Sequence, residues 1–444
     1  MKKILINSLG CPKNLVDSEI MAKSLCDKGY VFTDSLDQAD IAIINTCSFI
    51  EPAVKEAIDV ILDTAKHKKN SSLKKIVVTG CLVERYKEQI LESIPEVDIC
   101  IGIDGYNDIV SLLEGSDEKL ICGPKTDVSF MNNKRLLSDD TASAYVKISE
   151  GCDNKCTYCT IPSIRGKFRS RTINDICNEV EALCNQNGIK EITLVAQDTT
   201  AYGSDIYGKP SLYMLLENLE NIKPLKWIRL LYCYPELITD KLIEKIKNSN
   251  KILHYIDMPL QHASDRILKL MGRKGTKEQY LTLINKLRIN IPDIVLRTTF
   301  IVGFPQETDE DFNILCSFIE ANRFDRAGFF EYCREPDTPA YRLSGQISKK
   351  IKTQRRKRAE GLQHDVLINK NDERIGKIYS IIIQGVSDDG LFYIGRSYAE
   401  AFEIDPVIYV LSKEPLYVKD MVDAVIIAKD DDSLIAEVVN EYSK

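Results

Sequence analysis

The chain has 444 residues, of which 44% are hydrophobic and 28% charged, and its formal net charge is −7. This length exceeds what one hydrophobic core usually organises, so we expect two or three folded domains and exclude a disordered chain. No apolar run approaches bilayer length and no signal-peptide pattern follows Met1, so fourteen cysteines predict free thiols in a reducing cytoplasm, without a membrane partner or a disulfide scaffold.

The N-terminal part alternates between strand-like and helical patterns. Strand-like apolar runs, each followed by a helical period, predict a parallel sheet with right-handed crossovers. In chain order, these runs and periods occupy residues 3–7, 17–28, 41–45, 52–68, 75–79 and 84–94.

A cysteine follows each of these three strand-like runs: Cys11, Cys47 and Cys81. In parallel sheets, functional groups gather at the carboxyl ends of the strands, so three cysteines far apart in sequence are predicted to converge. Three thiolates can hold three irons of a 4Fe-4S cluster and leave the fourth iron open. Buried structural thiols are the alternative, and the shared position at strand ends favours the cluster.

A second alternation of strands and helices begins near residue 140. Six strand-helix units are too few for a full eight-stranded barrel, and they predict an open partial barrel with its active site at the strand carboxyl ends. The strand-like runs occupy residues 145–148, 191–196, 227–232, 255–260, 294–302 and 327–332.

Three cysteines stand close together after the first of these runs. Cys152, Cys156 and Cys159 have the spacing C-x-x-x-C-x-x-C, which is typical of an iron-sulfur site with one iron left open. Structural zinc is the alternative, but it prefers four ligands, and no fourth cysteine or histidine lies nearby in sequence. The spacing therefore favours a 4Fe-4S cluster that binds a small ligand at its open iron.

Other polar groups in this part have two interpretations each. Gln197 and Asp198 close the second strand, where they either contact the nucleoside or amino acid of a cofactor or cap the next helix. His262 is more simply a hydrogen-bonded structural residue than a catalytic one. The basic stretch at residues 165–171 suits either an anion site or a solvated face, and the solvated face is favoured.

The C-terminal part begins with a basic helical connector, residues 346–370. Beyond it, residues 371–444 read as five short strands and predict a small antiparallel barrel of the oligonucleotide-binding shape. This barrel has 7 Lys and Arg against 15 Asp and Glu, so it carries all of the chain's net acidity. Nucleic-acid binding needs the opposite charge, so a basic protein partner is favoured; an ordinary solvated surface is the alternative.

Taken together, these features resemble the methylthiotransferases, a family of radical S-adenosylmethionine (SAM) enzymes. The resemblance covers an N-terminal domain at residues 1–125, a radical SAM core at 138–368 and a TRAM barrel at 371–441. Residues 8–19 read S-L-G-C-P-K-N-L-V-D-S-E and are similar to the RimO-type branch, which modifies an aspartate of small-subunit ribosomal protein S12. The tRNA-modifying branch of the family is the rival interpretation, and a metal-binding protein without catalysis is a further alternative.

The resemblance implies two 4Fe-4S clusters with separate tasks. Cys152, Cys156 and Cys159 would hold the cluster that cleaves SAM, with Tyr158, Gln197 and Asp198 at the cofactor. The auxiliary cluster, carrying the methylated sulfur, would be held by Cys11, Cys47 and Cys81. A second SAM would donate the methyl group, and a C–H bond of the aspartate β-carbon would become C–S–CH3.

The resemblance also implies an electron donor such as flavodoxin or ferredoxin, and a cytoplasmic location. One residue departs from the family pattern. Residues 303–308 read G-F-P-Q-E-T, and Gln306 stands where the family pattern has glycine. Independently of the family, the Gly and Pro of this motif predict a tight turn. Thr308 and Asp311 predict the start of a helix.

Overall fold

The computed structural model describes residues 1–69, 71–115, 117–123, 125–126 and 128–439. Within these residues the chain forms two six-stranded parallel sheets, one closed barrel and one two-stranded antiparallel sheet. The predicted fold class, an α/β protein with a small C-terminal β-barrel, is confirmed. No helix of the described part is long and apolar enough to cross a membrane.

The first sheet belongs to the N-terminal part and has the strand order β2-β1-β3-β4-β5-β6, with every neighbouring pair parallel. The three predicted strands are confirmed, and three short strands extend the sheet. Its elements are β1 (Lys3–Ser8), α1 (Pro12–Cys26), β2 (Val31–Phe32), β3 (Ile41–Thr46), α2 (Glu51–His67), β4 (Lys75–Gly80), α3 (Cys81–Tyr86), α4 (Glu88–Ser93), β5 (Ile99–Ile101), α5 (Ile109–Glu114) and β6 (Leu120–Ile121).

One predicted helix of this part is wrong in detail. The period over residues 84–94 is divided between α3 and α4, because Lys87 has φ +45° and cannot continue a right-handed helix. The central strand β3 is buried at all six positions. Such continuous burial is typical of parallel sheets that helices cover on both faces.

The second sheet has the order β14-β13-β12-β11-β10-β7 and is also parallel throughout. It confirms the predicted six-strand partial barrel. Strands β8 and β9 of the same part of the chain pair only with each other. The elements of this part are β7 (Ser143–Lys147), β8 (Ser149–Glu150), α6 (Ile161–Arg165), β9 (Arg169–Ser170), α7 (Ile173–Asn187), β10 (Glu191–Val195), α8 (Leu212–Leu219), β11 (Trp227–Leu230), α9 (Asp240–Lys247), β12 (Ile252–Asp257), α10 (Asp265–Leu270), α11 (Lys277–Asn290), β13 (Val295–Val302), α12 (Asp309–Asn322) and β14 (Arg326–Glu331).

The predicted basic connector is a single helix, α13 (Lys349–Asp372), and it leads to the closed barrel β15-β16-β17-β19-β18. Four neighbouring pairs are antiparallel, while β17 and β19 pair in parallel. A closed ring with an odd number of strands requires at least one parallel pair, so a fully antiparallel barrel was not possible. The strands are β15 (Ile378–Val386), β16 (Tyr393–Arg396), β17 (Ile408–Leu411), β18 (Met421–Asp430) and β19 (Ser433–Val438).

A buried ion-pair group fastens the barrel to the second sheet. Glu191 in β10 accepts from Arg396 of β16 at 2.5 Å and from Arg229 of β11 at 2.8 Å. Burial alone would raise the pKa of Glu191, but the two guanidinium groups lower it to about 2. The acidic barrel is therefore a fixed part of the molecule, held beside the partial barrel.

Candidate functional site

The structure places the three N-terminal cysteines at one edge of the first sheet. Cys11 follows β1, Cys47 follows β3, and Cys81 follows β4. These three strands are neighbours in the sheet, so their carboxyl ends lie side by side. We call Cys11, Cys47 and Cys81 the distributed triad, because three separate segments supply its members.

The members of the distributed triad lie within electrostatic range of one another. Cys81 interacts with both Cys47 and Cys11, and Cys47 interacts with Cys11. A Cβ atom built on Gly10, next to Cys11, would lie only 2.6 Å from the Cβ of Cys47. Three thiols that converge in this way, with no disulfide among the chain's fourteen cysteines, form a set of soft ligands.

Charged neighbours distinguish the three thiols. Burial raises the pKa of the Cys81 thiol to about 12, although Arg165 opposes the shift. Burial also acts on Cys11, but Lys13, Arg165 and the backbone N–H groups of Asn14 and Lys13 outweigh it and lower the pKa of Cys11. Two cations beside three thiols suit an anionic group such as a thiolate-bound cluster, so the residues present fit the cluster that the sequence predicts.

The second cysteine set lies on one loop after β8. Cys152, Cys156 and Cys159 interact electrostatically with one another, and burial raises the pKa of Cys159 to about 12. We call these three residues the loop triad. Thr157 fixes the loop, since its N–H donates to Met271 O at 2.9 Å and its hydroxyl donates to Leu270 O at 2.7 Å. Three thiols on a loop with a fixed backbone also fit a 4Fe-4S cluster.

Arg165 connects the two triads. Its Nη2 donates to Cys81 Sγ at 3.3 Å and to Asn14 Oδ1 at 2.7 Å, on the side of the distributed triad. Its Nη1 donates to Glu150 Oε2 at 2.7 Å, two residues before the loop triad begins at Cys152. Arg165 therefore contacts the immediate surroundings of both cysteine sets.

The preference for a solvated face over residues 165–171 is wrong for the first and last members of the stretch. Arg165 and Arg171 are both fully buried, and Arg171 donates to the carbonyl oxygen of Lys147 at 2.9 Å. A guanidinium has five donors in a planar fork and can satisfy several buried acceptors at once, which is why these side chains tolerate burial. Lys167 is the exposed member of the stretch.

Lys13 is a second cation at this junction. It is contributed by α1 of the first sheet, yet its Nζ donates to Ala196 O at the end of β10, at 3.4 Å. The same Nζ lies 3.7 Å above the ring centre of Tyr232, which follows β11. The N-terminal part thus reaches the carboxyl edge of the second sheet beside Cys11.

The predicted cofactor residues take defined positions at that edge. Asp198 is buried and caps a short turn by accepting from Ala201 N–H, while its other oxygen accepts from Asn154 of the cysteine loop at 2.8 Å. Gln197 donates to Glu150 Oε1 at 2.7 Å. Tyr158 packs against a small buried cluster that includes Met271 and Phe304. Their contact with a cofactor stays a prediction.

Two further expectations concern turns and caps. His262 is buried and its Nδ1 accepts from Ser264 N–H at 2.9 Å, as expected for a structural histidine. Thr308 and Asp311 form a capping box at the start of α12, as predicted. Gln306 has φ +68°, in the left-handed region that favours glycine, so its backbone keeps the conformation that the family pattern expects.

Sequence reasoning did not identify Arg165, Glu150 or Lys13 as junction residues. Arg165 and Glu150 are fifteen positions apart on elements with no shared periodicity, so no local pattern pairs them. The only available signal was position: Lys13 and Glu150 each stand two residues from a predicted cluster ligand.

Comparisons with known proteins agree with this division of the chain. Residues 3–102 match the uncharacterized protein family UPF0004, residues 146–319 match the radical SAM superfamily, and residues 375–439 match the TRAM domain. Among solved structures, the radical SAM methyltransferase TsrM from Kitasatospora setae has a TM-score of 0.57 at 14% identity, covering 76% of this chain and 74% of that one. The radical SAM enzyme OxsB has a TM-score of 0.52 at 15% identity, covering 82% of this chain and 56% of that one. These two structures support the fold.

Full-length relatives are much closer in sequence. The ribosomal protein uS12 methylthiotransferase RimO of Acetivibrio thermocellus is 48% identical, and alignment covers 100% of both chains. The RimO of Clostridioides difficile is 46% identical, again with 100% of both chains covered. These identities over whole chains confirm the predicted resemblance, and the protein belongs to the RimO family of radical SAM methylthiotransferases.

Proposed function

We propose that this protein transfers a methylthio group to the β-carbon of an aspartate in ribosomal protein uS12. The observation that carries the proposal is the pair of open-site cysteine triads, distributed and loop, that Arg165 joins. A single triad would suffice to cleave SAM, whereas a second one gives a separate site for the sulfur that is transferred. Relatives that align over the whole chain carry the name uS12 methylthiotransferase.

In this proposal Cys152, Cys156 and Cys159 hold one 4Fe-4S cluster, and Cys11, Cys47 and Cys81 hold the other. When bound, SAM at the first cluster supplies a hydrogen-abstracting radical and the auxiliary cluster supplies the methylthio group. Tyr158, Gln197 and Asp198 line the SAM side, since they lie on or beside the cysteine loop. The proposed domains are residues 1–125, 138–368 and 371–441.

The protein's own side chains fix the geometry between the two triads. Asn14 donates to Leu9 O at 3.0 Å and to Thr46 O at 2.9 Å, which ties the segments that carry Cys11 and Cys47 together. Glu150 accepts from both Arg165 and Lys147, at 2.7 and 3.0 Å. Buried, fully paired contacts of this kind hold reacting groups in place and exclude water, which protects a radical from side reactions.

The acidic barrel supports a protein substrate. A ribosomal protein that neutralises RNA phosphates carries Lys and Arg, and an acidic surface attracts it while repelling free tRNA. The Arg396–Glu191 ion pair anchors the barrel at the first residue of β10, so its acidic charge supports docking of a basic protein away from the two cysteine triads. An electron donor such as flavodoxin or ferredoxin, acting in the cytoplasm, completes the proposed reaction.

The test is the intact mass of uS12 from cells with and without this gene, with peptide fragmentation to locate any difference. We expect the protein from deletion cells to lack one methylthio group on a single aspartate, and a plasmid copy of the gene to restore it. A plasmid copy carrying Cys47→Ala is the matched control and should not restore it. Unchanged uS12, accompanied by loss of a methylthio group from tRNA adenosine, would refute the proposal in favour of the tRNA-modifying branch.

A further inference from the structure

Lys13 is a buried cation that lies beside the Cys11 thiol and is not paired with a carboxylate of the described residues. Lys13 is only 7% exposed, and none of the described carboxylates forms an ion pair with its ammonium group. Lys147, which is 1% exposed, shows the usual arrangement, because its ammonium is paired with both Asp17 and Glu150. Buried lysines are normally paired in this way, since an isolated buried charge is costly.

The contacts that Lys13 does make leave donors free. An ammonium group has three N–H donors, and within the described part of the chain Lys13 has one acceptor, Ala196 O, at the long distance of 3.4 Å. The ring face of Tyr232 provides a cation–π contact at 3.7 Å, which attracts the charge without accepting a conventional hydrogen bond. The Lys13 ammonium can therefore donate to an anionic acceptor in addition to these two contacts.

The residue beside Lys13 has a strained backbone. Tyr232 has φ +58°, and its conformation is held because its N–H donates to Asp257 Oδ2 at 3.0 Å and its carbonyl accepts from Thr199 N–H at 3.0 Å. Non-glycine residues in this region are uncommon and cluster at ligand-binding sites. Both observations point to the same place, between Cys11 and the carboxyl edge of the second sheet.

We propose that the Lys13 ammonium binds the side-chain carboxylate of the substrate aspartate, an inference that rests on the proposed function. The β-carbon of aspartate is bonded directly to its carboxyl carbon, so a fixed carboxylate also fixes the carbon that is modified. A carboxylate entering a buried site requires a cation, and Lys13 supplies one two residues from Cys11 of the distributed triad. Lys13 thereby selects an acidic side chain over a neutral one.

The competing explanation is that Lys13 only balances the charge of the Cys11 thiolate. Replacing Lys13 with a neutral residue would have a different effect in each case. A cluster-supporting lysine affects iron binding, whereas a substrate-binding lysine affects the preference of the protein for aspartate over its neutral isostere.

The experiment measures peptide affinity with the full-length, iron-reconstituted protein, anaerobically and without reductant. The probes are a fluorescent peptide containing the target aspartate of uS12 and the same peptide with asparagine at that position. The variants are Lys13→Met, which keeps the length of the side chain, and Lys13→Arg, which keeps the charge. Lys23→Met is the matched control, since Lys23 lies on the same helix and pairs with Asp27 at the surface.

We expect wild type and Lys23→Met to bind the aspartate peptide about tenfold or more tightly than the asparagine peptide. Lys13→Met should bind both peptides equally while keeping the iron content of wild type, and Lys13→Arg should recover part of the preference. Loss of iron in Lys13→Met, or an unchanged preference for aspartate, would overturn the inference. Failure of the wild type to modify any uS12 aspartate would instead overturn the proposed function, and the inference with it.

Discussion

The two cysteine triads have the same composition but are built in opposite ways. The loop triad comes from eight consecutive residues, so its spacing is visible in the sequence and its geometry depends on one loop. The distributed triad comes from three segments about 35 residues apart, and only the parallel pairing of β1, β3 and β4 brings it together. The comparison teaches that a local site is encoded by spacing, while a distributed one is encoded by topology.

Close approach of the backbone is a requirement that both triads share. Gly80 precedes Cys81 with φ +93°, and a Cβ there would lie 2.4 Å from Asn45 Oδ1 and 2.6 Å from Thr46 O. Gly151 precedes Cys152 with φ +77°, and a Cβ there would lie 2.1 Å from Lys167 O. Only glycine fits such positions, so each triad depends on a residue that carries no functional group.

The largest expected effect separates the tasks of the two triads. Cys156→Ala should abolish both SAM cleavage and methylthio transfer, because it removes a ligand of the loop triad. Cys47→Ala should abolish transfer but retain SAM cleavage, because it removes a ligand of the distributed triad alone. Each variant should hold about four irons per chain instead of about eight. Deoxyadenosine formation, product mass and iron content measure these three quantities.

Cys184→Ala is the control for this pair, since Cys184 is packed in the core of the second sheet, apart from both triads. It should keep about eight irons and both activities. If Cys47→Ala and Cys156→Ala lost the same functions, the two triads would not have separate tasks, and the comparison between them would fail.

How far each triad could be predicted follows from this difference. The loop triad needed no structure, because C-x-x-x-C-x-x-C restricts the ligands by itself. The distributed triad could be predicted only because Cys11, Cys47 and Cys81 each follow a strand-like run, so the site prediction depended on the strand assignment, which the structure confirms. The Arg165 junction was not accessible, since its contacts with Glu150 and Cys81 depend on how the two sheets pack.

The second prediction breaks the connection between the triads. Arg165→Met should destabilise the protein by about 3–5 kcal/mol, because it leaves the buried Asn14 Oδ1 without its donor and removes one of the two cations, Arg165 and Lys147, that neutralise the buried Glu150. Iron loss should begin at the distributed triad, since Cys81 loses its N–H donor. Denaturant unfolding of the reconstituted protein and iron content measure the two effects.

Lys167→Met is the control for Arg165→Met, because Lys167 is exposed on the same basic stretch and should change stability by less than about 0.5 kcal/mol. Equal unfolding midpoints for Arg165→Met and wild type would mean that the two triads are held independently of the arginine.

The third prediction tests the backbone requirement at the distributed triad. Gly80→Ala should cost about 3 kcal/mol, because it adds a steric clash to the unfavourable left-handed conformation. Gly29→Ala is the matched control: Gly29 has φ +83° but nothing within 4 Å of the added Cβ, so it should cost only about 1 kcal/mol. Thermal unfolding measures both, and a similar cost for the two variants would exclude close approach as the reason for glycine before Cys81.

The smallest expected effect concerns the turn after β13. This turn is a local sequence motif, as the loop triad is, but it departs from the family pattern at Gln306. Gln306 holds φ +68° while its N–H donates to Gly345 O at 2.8 Å, so the turn persists without the expected glycine. Gln306→Gly should therefore stabilise the protein by about 1 kcal/mol, and Gln306→Ala should not, because alanine keeps the strain. Thermal unfolding of the two variants measures the difference. Equal stability of Gln306→Gly and Gln306→Ala would mean that the contacts of this turn determine its conformation, and not the residue type at position 306. Even a local sequence motif would then depend on the packing around it.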